Sequence, residues 1–159
     1  MDSKTKMRLL LLVGILKKIV IVLLFSSGYM NAQEIQYINS PEHLAQEMPF
    51  SEATIVNNVV YLSGQIGSNA KNEVVSGGIT AETAQALRNI QALLERMNLS
   101  LEHVFKCTCM LSDIKDWPAM SKAYKGFFSP NKLPARSAFA GSGLALGAKV
   151  EIECMATLQ

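Results

Sequence analysis

An arginine and two glutamates stand closest to chemistry in this chain. Leu133-Pro134-Ala135 leads through a rigid proline to Arg136, just ahead of a short strand-like run, Ser137–Ala140. Glu151 and Glu153 sit two apart in Lys149–Leu158, where they alternate with Val150, Ile152, Cys154, Ala156 and Leu158. Period-two alternation puts both glutamates on one strand face and the apolar set on the other. A guanidinium fork binds a carboxylate through two parallel hydrogen bonds. An Arg and a Glu on neighbouring strands would hold an anionic substrate and activate water beside it. The plainer reading is that all three are solvated charges, as charged residues mostly are.

Other chemistry-bearing residues point elsewhere. The two histidines, His43 and His103, leave little room for a histidine-rich metal site and take no role here. No plausible Ser-His-Asp set presents itself. Three cysteines are too few for a disulfide scaffold. Cys107 and Cys109 share a strand face and read as core thiols, too far apart along an extended strand for an easy mutual disulfide. Cys154 could pair with either of them across strands in an oxidising compartment. Trp117 and the Tyr124, Phe127 and Phe128 group read as helix packing.

The elements that must position the Arg and Glu follow from periodicity. Residues 33–47 are polar and form a lead-in segment. Ala53–Val56 and Val59–Ile66 are β-rich runs joined by Asn57-Asn58, which tolerate the positive φ of a tight hairpin. Ser63-Gly64 ends the second run, and a glycine there marks a close backbone approach. Thr80 is a suitable N-cap for a helix whose buried stripe is Ala84, Leu87, Ile90, Leu94 and Met97, with Asn98 as its stop. Val104–Leu111 is a strand with Phe105, Cys107 and Cys109 on one face. Asp116 caps a second helix with Pro118 in its first turn and Met120, Tyr124 and Phe127 or Phe128 buried. The order β-β-α-β-α-β-β predicts an α+β fold, one mixed sheet with both helices packed on one face.

The chain's 159 residues suit one domain with room for a tail. With 18% charged residues and ordinary Gly and Pro content, wholesale disorder, collagen and coiled coil are excluded. The net charge of +2 conceals an asymmetry. Residues 1–32 carry Lys4, Lys6, Arg8, Lys17 and Lys18 against Asp2, a net of +4, whereas residues 33–159 hold 10 Lys and Arg against 12 Asp and Glu, a net of −2. The body of the chain has no basic excess for phosphates, so no nucleic-acid partner is expected. The leader combines a cationic start with two apolar runs, Leu9–Leu16 and Ile19–Phe25, interrupted by Lys17-Lys18. Neither run reaches the roughly 20 apolar residues of a membrane span. We read residues 1–32 as an export signal cleaved after Ala32, giving a periplasmic or secreted protein; the alternative is a retained N-terminal membrane anchor.

Leu133-Pro-Ala-Arg-Ser137 followed by Lys149-Val-Glu-Ile-Glu153 closely resembles the signature of the RidA/YjgF family of enamine/imine deaminases, also labelled endoribonuclease L-PSP. The likeness extends to Val60-Tyr-Leu-Ser-Gly-Gln-Ile66, the Thr80–Asn98 helix and Ala123-Tyr-Lys-Gly-Phe-Phe128, and so covers residues 48–159 as one RidA-like domain. It implies a chorismate-mutase-like fold assembled as a homotrimer with three clefts between subunits. It implies that Arg136 grips the carboxylate of a 2-imino acid or its enamine tautomer and that Glu151 orients or activates the hydrolytic water. Ser63 and Gly64 would lie beside the ligand. A protonated imine carbon is already electrophilic, so neither metal nor cofactor is required and positioning and proton transfer suffice. Three cleft positions depart from the common pattern: Phe50 stands where many members have Tyr, Ser121 where many have Asn, and Ala138 where many have Cys. The alternatives are a non-catalytic module that binds small carboxylates in the same clefts and, less favoured given the charge, a ribonuclease.

Overall fold

The computed structural model describes residues 2–8, 10–12 and 34–158. The chain divides into two units at Gln33/Glu34. In the first, residues 3–8 and 10–12 are helical. The expected cleavage point after Ala32 lies outside the described residues, as does most of the two apolar runs. Among the described residues no helix is long and apolar enough to cross a membrane.

The second unit is a six-stranded mixed sheet. Its strands are β1 (Gln36–Ile38), β2 (Ala53–Val56), β3 (Val59–Ile66), β4 (Val104–Leu111), β5 (Ala135–Ala140) and β6 (Val150–Thr157), in the spatial order β1-β2-β3-β6-β4-β5. The helices are α1 (Pro41–Ala45), α2 (Gly78–Arg96) and α3 (Trp117–Lys125). All neighbours are antiparallel except β4 and β5. Parallel strands need a long crossover, which α3 supplies between β4 and β5. Strands β3 and β4 run the same way with α2 between them in sequence and β6 between them in space.

One core lies between sheet and helices. Leu87, Ile90 and Leu94 of α2 are fully buried against Val60, Ile152 and Ala156, and Met120 and Tyr124 of α3 join the same cluster. Burying a side chain of this size contributes roughly 1.5–3 kcal/mol. The sheet face away from α2 and α3 carries Tyr61, Phe105 and Phe139, all more than two-fifths exposed.

Several expected details shift. The polar segment before residue 48 carries β1 and α1, so the sheet gains an edge strand. Asn39 bonds Ser51 and the Glu52 N–H, and the Ser40 N–H donates to Glu52, which ties the segment down. Helix α2 begins at Gly78, not after Thr80, because Gly77 and Gly78 adopt positive φ (109° and 69°) and bring the chain into the helix early. Its buried face is set by Glu82, Thr83, Ala86, Leu87, Ile90, Leu93 and Leu94, while Ala84 and Met97 are half-buried. Asp116 precedes α3 without a side-chain cap bond; Asp113 instead accepts from the Lys115 N–H one turn earlier. Phe105 faces away from Cys107, because the β4–β6 register slips between Val104 and Lys106. Strand β5 starts at Ala135, so Arg136 lies inside the strand, opposite Cys107. The expected hairpin at Asn57 (φ 49°) and Asn58 (φ 61°), the Asn98 stop and the β6 alternation are all present.

Candidate functional site

Helix α3 builds a seat for Arg136. Trp117, Met120, Ser121 and Tyr124 stand at i, i+3, i+4 and i+7, one stripe of an α-helix. Arg136 reaches that stripe from β5. Its Nη2 donates to Ser121 Oγ at 2.9 Å and its Nη1 makes a long contact with Met120 Sδ at 3.7 Å. The guanidinium carbon sits 4.9 Å from the centre of the Tyr124 ring and 5.6 Å from that of Trp117. Such cation–π seating suits a planar guanidinium. Among the described residues no carboxylate lies within ion-pair distance of Arg136, so the fork remains open to an anion. Pro134, Leu133, Trp117 and Ser121 border the cavity beside it, about 560 Å³, together with Lys122 and Lys125.

Glu151 belongs to a second cavity. It projects from β6 on the face away from α2 and α3, beside Gly64 of β3. The β3–β6 register is irregular between Leu62 and Gln65, at Ser63-Gly64. This kink brings the β3 backbone close to the Glu151 carboxylate, and a Cβ at Gly64 would overlap Glu151 Oε1. The cavity, about 620 Å³, is also bordered by Phe50, His43, Gln65 and Leu146. Phe50 is held from α1: the His43 Nε2 is 2.6 Å from the Phe50 carbonyl oxygen, and the two rings meet edge-on with centroids 5.3 Å apart.

Electrostatics separates the two cavities. Burial, then the like charge of Glu153 on the same strand face, holds the Glu151 carboxyl above the usual carboxylate range. Burial pushes the Cys109 thiol up to about 11 against the pull of Arg136. Burial also keeps the Tyr124 phenol protonated; its hydroxyl is the one buried side-chain polar atom without a hydrogen-bond partner among the described residues.

Arg136 and Ser121 thus meet in one cavity, and Glu151, Gly64 and Phe50 in the other. Ser63 borders neither and donates its hydroxyl to the Ser51 carbonyl. Ala138 shares the Arg136 face and pairs with Cys109. Contrary to the expected neighbouring strands, β5 and β6 are separated by β4. Within one copy Arg136 shares the helix-packed face with Cys107 and Cys154, whereas Glu151 alternates with the buried Val150 and Ile152 and points to the opposite face. Trp117 was missed as a site residue. Its i+4 spacing to Ser121 was the available signal. Among the described residues no group of three or more His, Cys, Asp or Glu converges as a metal site. Cys107 and Cys154, opposed across β4 and β6, form a disulfide, and Cys109 stays free and buried.

Comparison with known proteins agrees with this architecture. The family model described as endoribonuclease L-PSP matches residues 40–158. The human 2-iminobutanoate/2-iminopropanoate deaminase is 38% identical over 109 residues, 68% of this chain and 79% of the relative. The Saccharomyces cerevisiae protein HMF1 is 38% identical over 107 residues, 67% of this chain and 82% of the relative. Among solved structures, RidA from an Antarctic Psychrobacter superposes with a TM-score of 0.66 at 32% identity, covering 70% of this chain and 89% of that one. The YjgF gene product of E. coli does so with a TM-score of 0.64 at 30% identity, covering 70% and 89%. On the fold, the matched span and these relatives together, the chain belongs to the RidA/YjgF family, whose sequence model carries the endoribonuclease L-PSP label.

Proposed function

We propose that this protein hydrolyses 2-imino acids and their enamine tautomers to 2-oxo acids and ammonia. The observation that carries the reading is the open guanidinium of Arg136, seated on α3 and paired with no carboxylate among the described residues. It grips the substrate carboxylate. Glu151, a half-buried carboxyl whose pKa is raised by burial and then by Glu153, takes a proton from water as the oxygen adds to the C=N carbon. The nitrogen collects protons, the C–N bond breaks, ammonia leaves, and the carbon keeps the new C=O bond. The overall balance is imine plus water to oxo acid plus ammonia.

The clamp and the acid act in one cleft when the Arg136 cavity of one copy meets the Glu151 cavity of another. A homotrimer with three such clefts is the assembly we propose. The acid-lined cavity (Glu42, Glu52, Glu151) and the base-lined cavity (Lys122, Lys125, Arg136) have the charge complementarity that this meeting needs. The names of the curated relatives support the reaction class. We further propose that the protein works outside the cytoplasm after loss of residues 1–32 and is then free of the membrane. The leader pattern supports this, as does the Cys107–Cys154 disulfide, a bond that persists in oxidising compartments.

The test is a coupled assay in which an amino-acid oxidase generates a panel of 2-imino acids and their decay is followed with and without the protein. Acceleration that disappears in a folded Arg136→Ala variant is the expected result. Acceleration that survives the substitution removes the clamp. Ligand binding without turnover across the panel makes the protein a carboxylate-binding module instead.

A further inference from the structure

The walls beside Arg136 specify more than a carboxylate. Trp117 and Leu133 are large apolar side chains left 43% and 45% exposed, and both border the Arg136 cavity with Pro118 and Pro134. The Trp117 ring lies 5.6 Å from the guanidinium carbon. A 2-imino acid held by its carboxylate has its side chain only two carbons from the clamp, within reach of that ring. Lys122 and Lys125 border the cavity too, but both are exposed, where a charge stays hydrated and attracts a second anion weakly.

We infer that Trp117 and Leu133 form a side-chain subsite and that the preferred substrates are 2-imino acids with bulky apolar side chains, such as those derived from branched or long aliphatic amino acids. The inference rests on the deaminase reading and specifies its substrate class. The physical basis is the area removed from water: each buried methylene favours binding, and an apolar pocket discriminates by roughly tenfold or more when one is added or lost.

Trp117 is the only tryptophan in the chain, which gives a readout independent of turnover. The stable 2-oxo acids pyruvate, 4-methyl-2-oxopentanoate and 2-oxoglutarate are titrated into the full protein while tryptophan emission is recorded. The branched acid is expected to perturb emission and to bind about tenfold more tightly than pyruvate, since part of three additional carbons is buried. Leu133→Ser should narrow that gap, and Arg136→Ala should abolish binding of every acid. Calorimetry on Trp117→Ala, which removes the fluorophore, should show the gap narrowed as well. Equal affinity for pyruvate and the branched acid overturns the subsite while leaving the clamp intact. Tightest binding of 2-oxoglutarate overturns it in favour of the two lysines. Failure of all three acids to bind, by emission and by calorimetry, overturns the clamp and with it the reading on which the subsite rests.

Discussion

Gly64 and Glu151 meet at the β3 kink so closely that no side chain fits between them: a Cβ on Gly64 would occupy the space of the Glu151 carboxylate. The glycine is therefore the mould for the acid. Gly64→Ala should leave the fold intact, because the displaced group is the far end of a flexible side chain. It should lower kcat by about 100-fold, the usual consequence of moving a catalytic group by about an ångström. Circular dichroism and kcat on the same preparation check this. An unchanged kcat would dissociate Glu151 from the chemistry.

The carboxyl of Glu151 gives the activity a predictable acid limb. Water activation needs the carboxylate, and burial together with Glu153 makes that form harder to reach. The acid limb of kcat/KM should therefore lie above the ordinary glutamate value of about 4.3. Glu153→Gln removes the smaller of the two causes and should move the limb to lower pH without restoring the ordinary value, since burial remains. The stability effect has the opposite pH sense to a salt-bridged acid. A carboxyl with raised folded pKa favours the fold below its unfolded pKa, and that contribution is lost as pH rises through the folded value. Glu151→Gln should accordingly raise the melting temperature at pH 8 more than at pH 4 while abolishing turnover. A limb that stays fixed in Glu153→Gln is the contrary result.

Much of this geometry was legible in the sequence wherever a side-chain pattern had a single structural meaning. Two adjacent asparagines can both take positive φ, so Asn57-Asn58 announced the hairpin. The alternation from Val150 to Ala156 announced which way Glu151 points. What failed to show was pairing. Gln36–Ile38 is a strand only because Ala53–Ile55 lies beside it, and three residues carry no period. The insertion of β4 between Arg136 and Glu151 is a fact of strand order, to which spacing along the chain is blind. Glu82 is of a residue type that mostly lies at the surface. It is 4% exposed, because its carboxylate accepts the Lys149 N–H at 2.6 Å and Gly67 leaves room for the helix backbone beside it. A buried charge of this kind is tolerable only with such a partner, and the partner lies 67 residues away.

The disulfide between Cys107 and Cys154 closes a loop with a sequence separation of 47. In the chain-entropy account a loop of that size is worth on the order of 4 kcal/mol through the unfolded state. Protein isolated without reductant should show one blocked cysteine pair and one free thiol by mass spectrometry after alkylation in denaturant. Reduction, or Cys107→Ala with Cys154→Ala, should lower the melting temperature substantially. Cys109 should resist alkylation until the protein unfolds, because its thiol is buried and pushed up to about 11. Three free thiols in protein purified from its native compartment would argue for a reducing location.

The remaining prediction concerns how the N-terminal segment is held over the Glu151 cavity. Glu52 accepts from Arg96 Nη2 at 2.8 Å and from the Ser40 N–H at 2.5 Å, so one carboxylate ties the C-terminal end of α2 to the turn that begins α1. Burial pushes the Glu52 pKa up, but the Arg96 and Ser40 hydrogen bonds outweigh it and the net shift is downward. A lowered carboxyl pKa stabilises the fold above its unfolded value, and that contribution is lost as pH falls through the folded value. Arg96 is 41% exposed, so solvent screening limits the ion pair to about 1 kcal/mol or less. Arg96→Gln should therefore lower the melting temperature by a few degrees at pH 7, and the difference from the parent protein should shrink below about pH 4 as Glu52 protonates. Because α1 carries His43, whose ring contacts Phe50 at the cavity rim, the same variant should raise KM more than it lowers kcat. A destabilisation that persists unchanged at pH 3 would mean that Arg96 acts through packing of its aliphatic stem and not through Glu52.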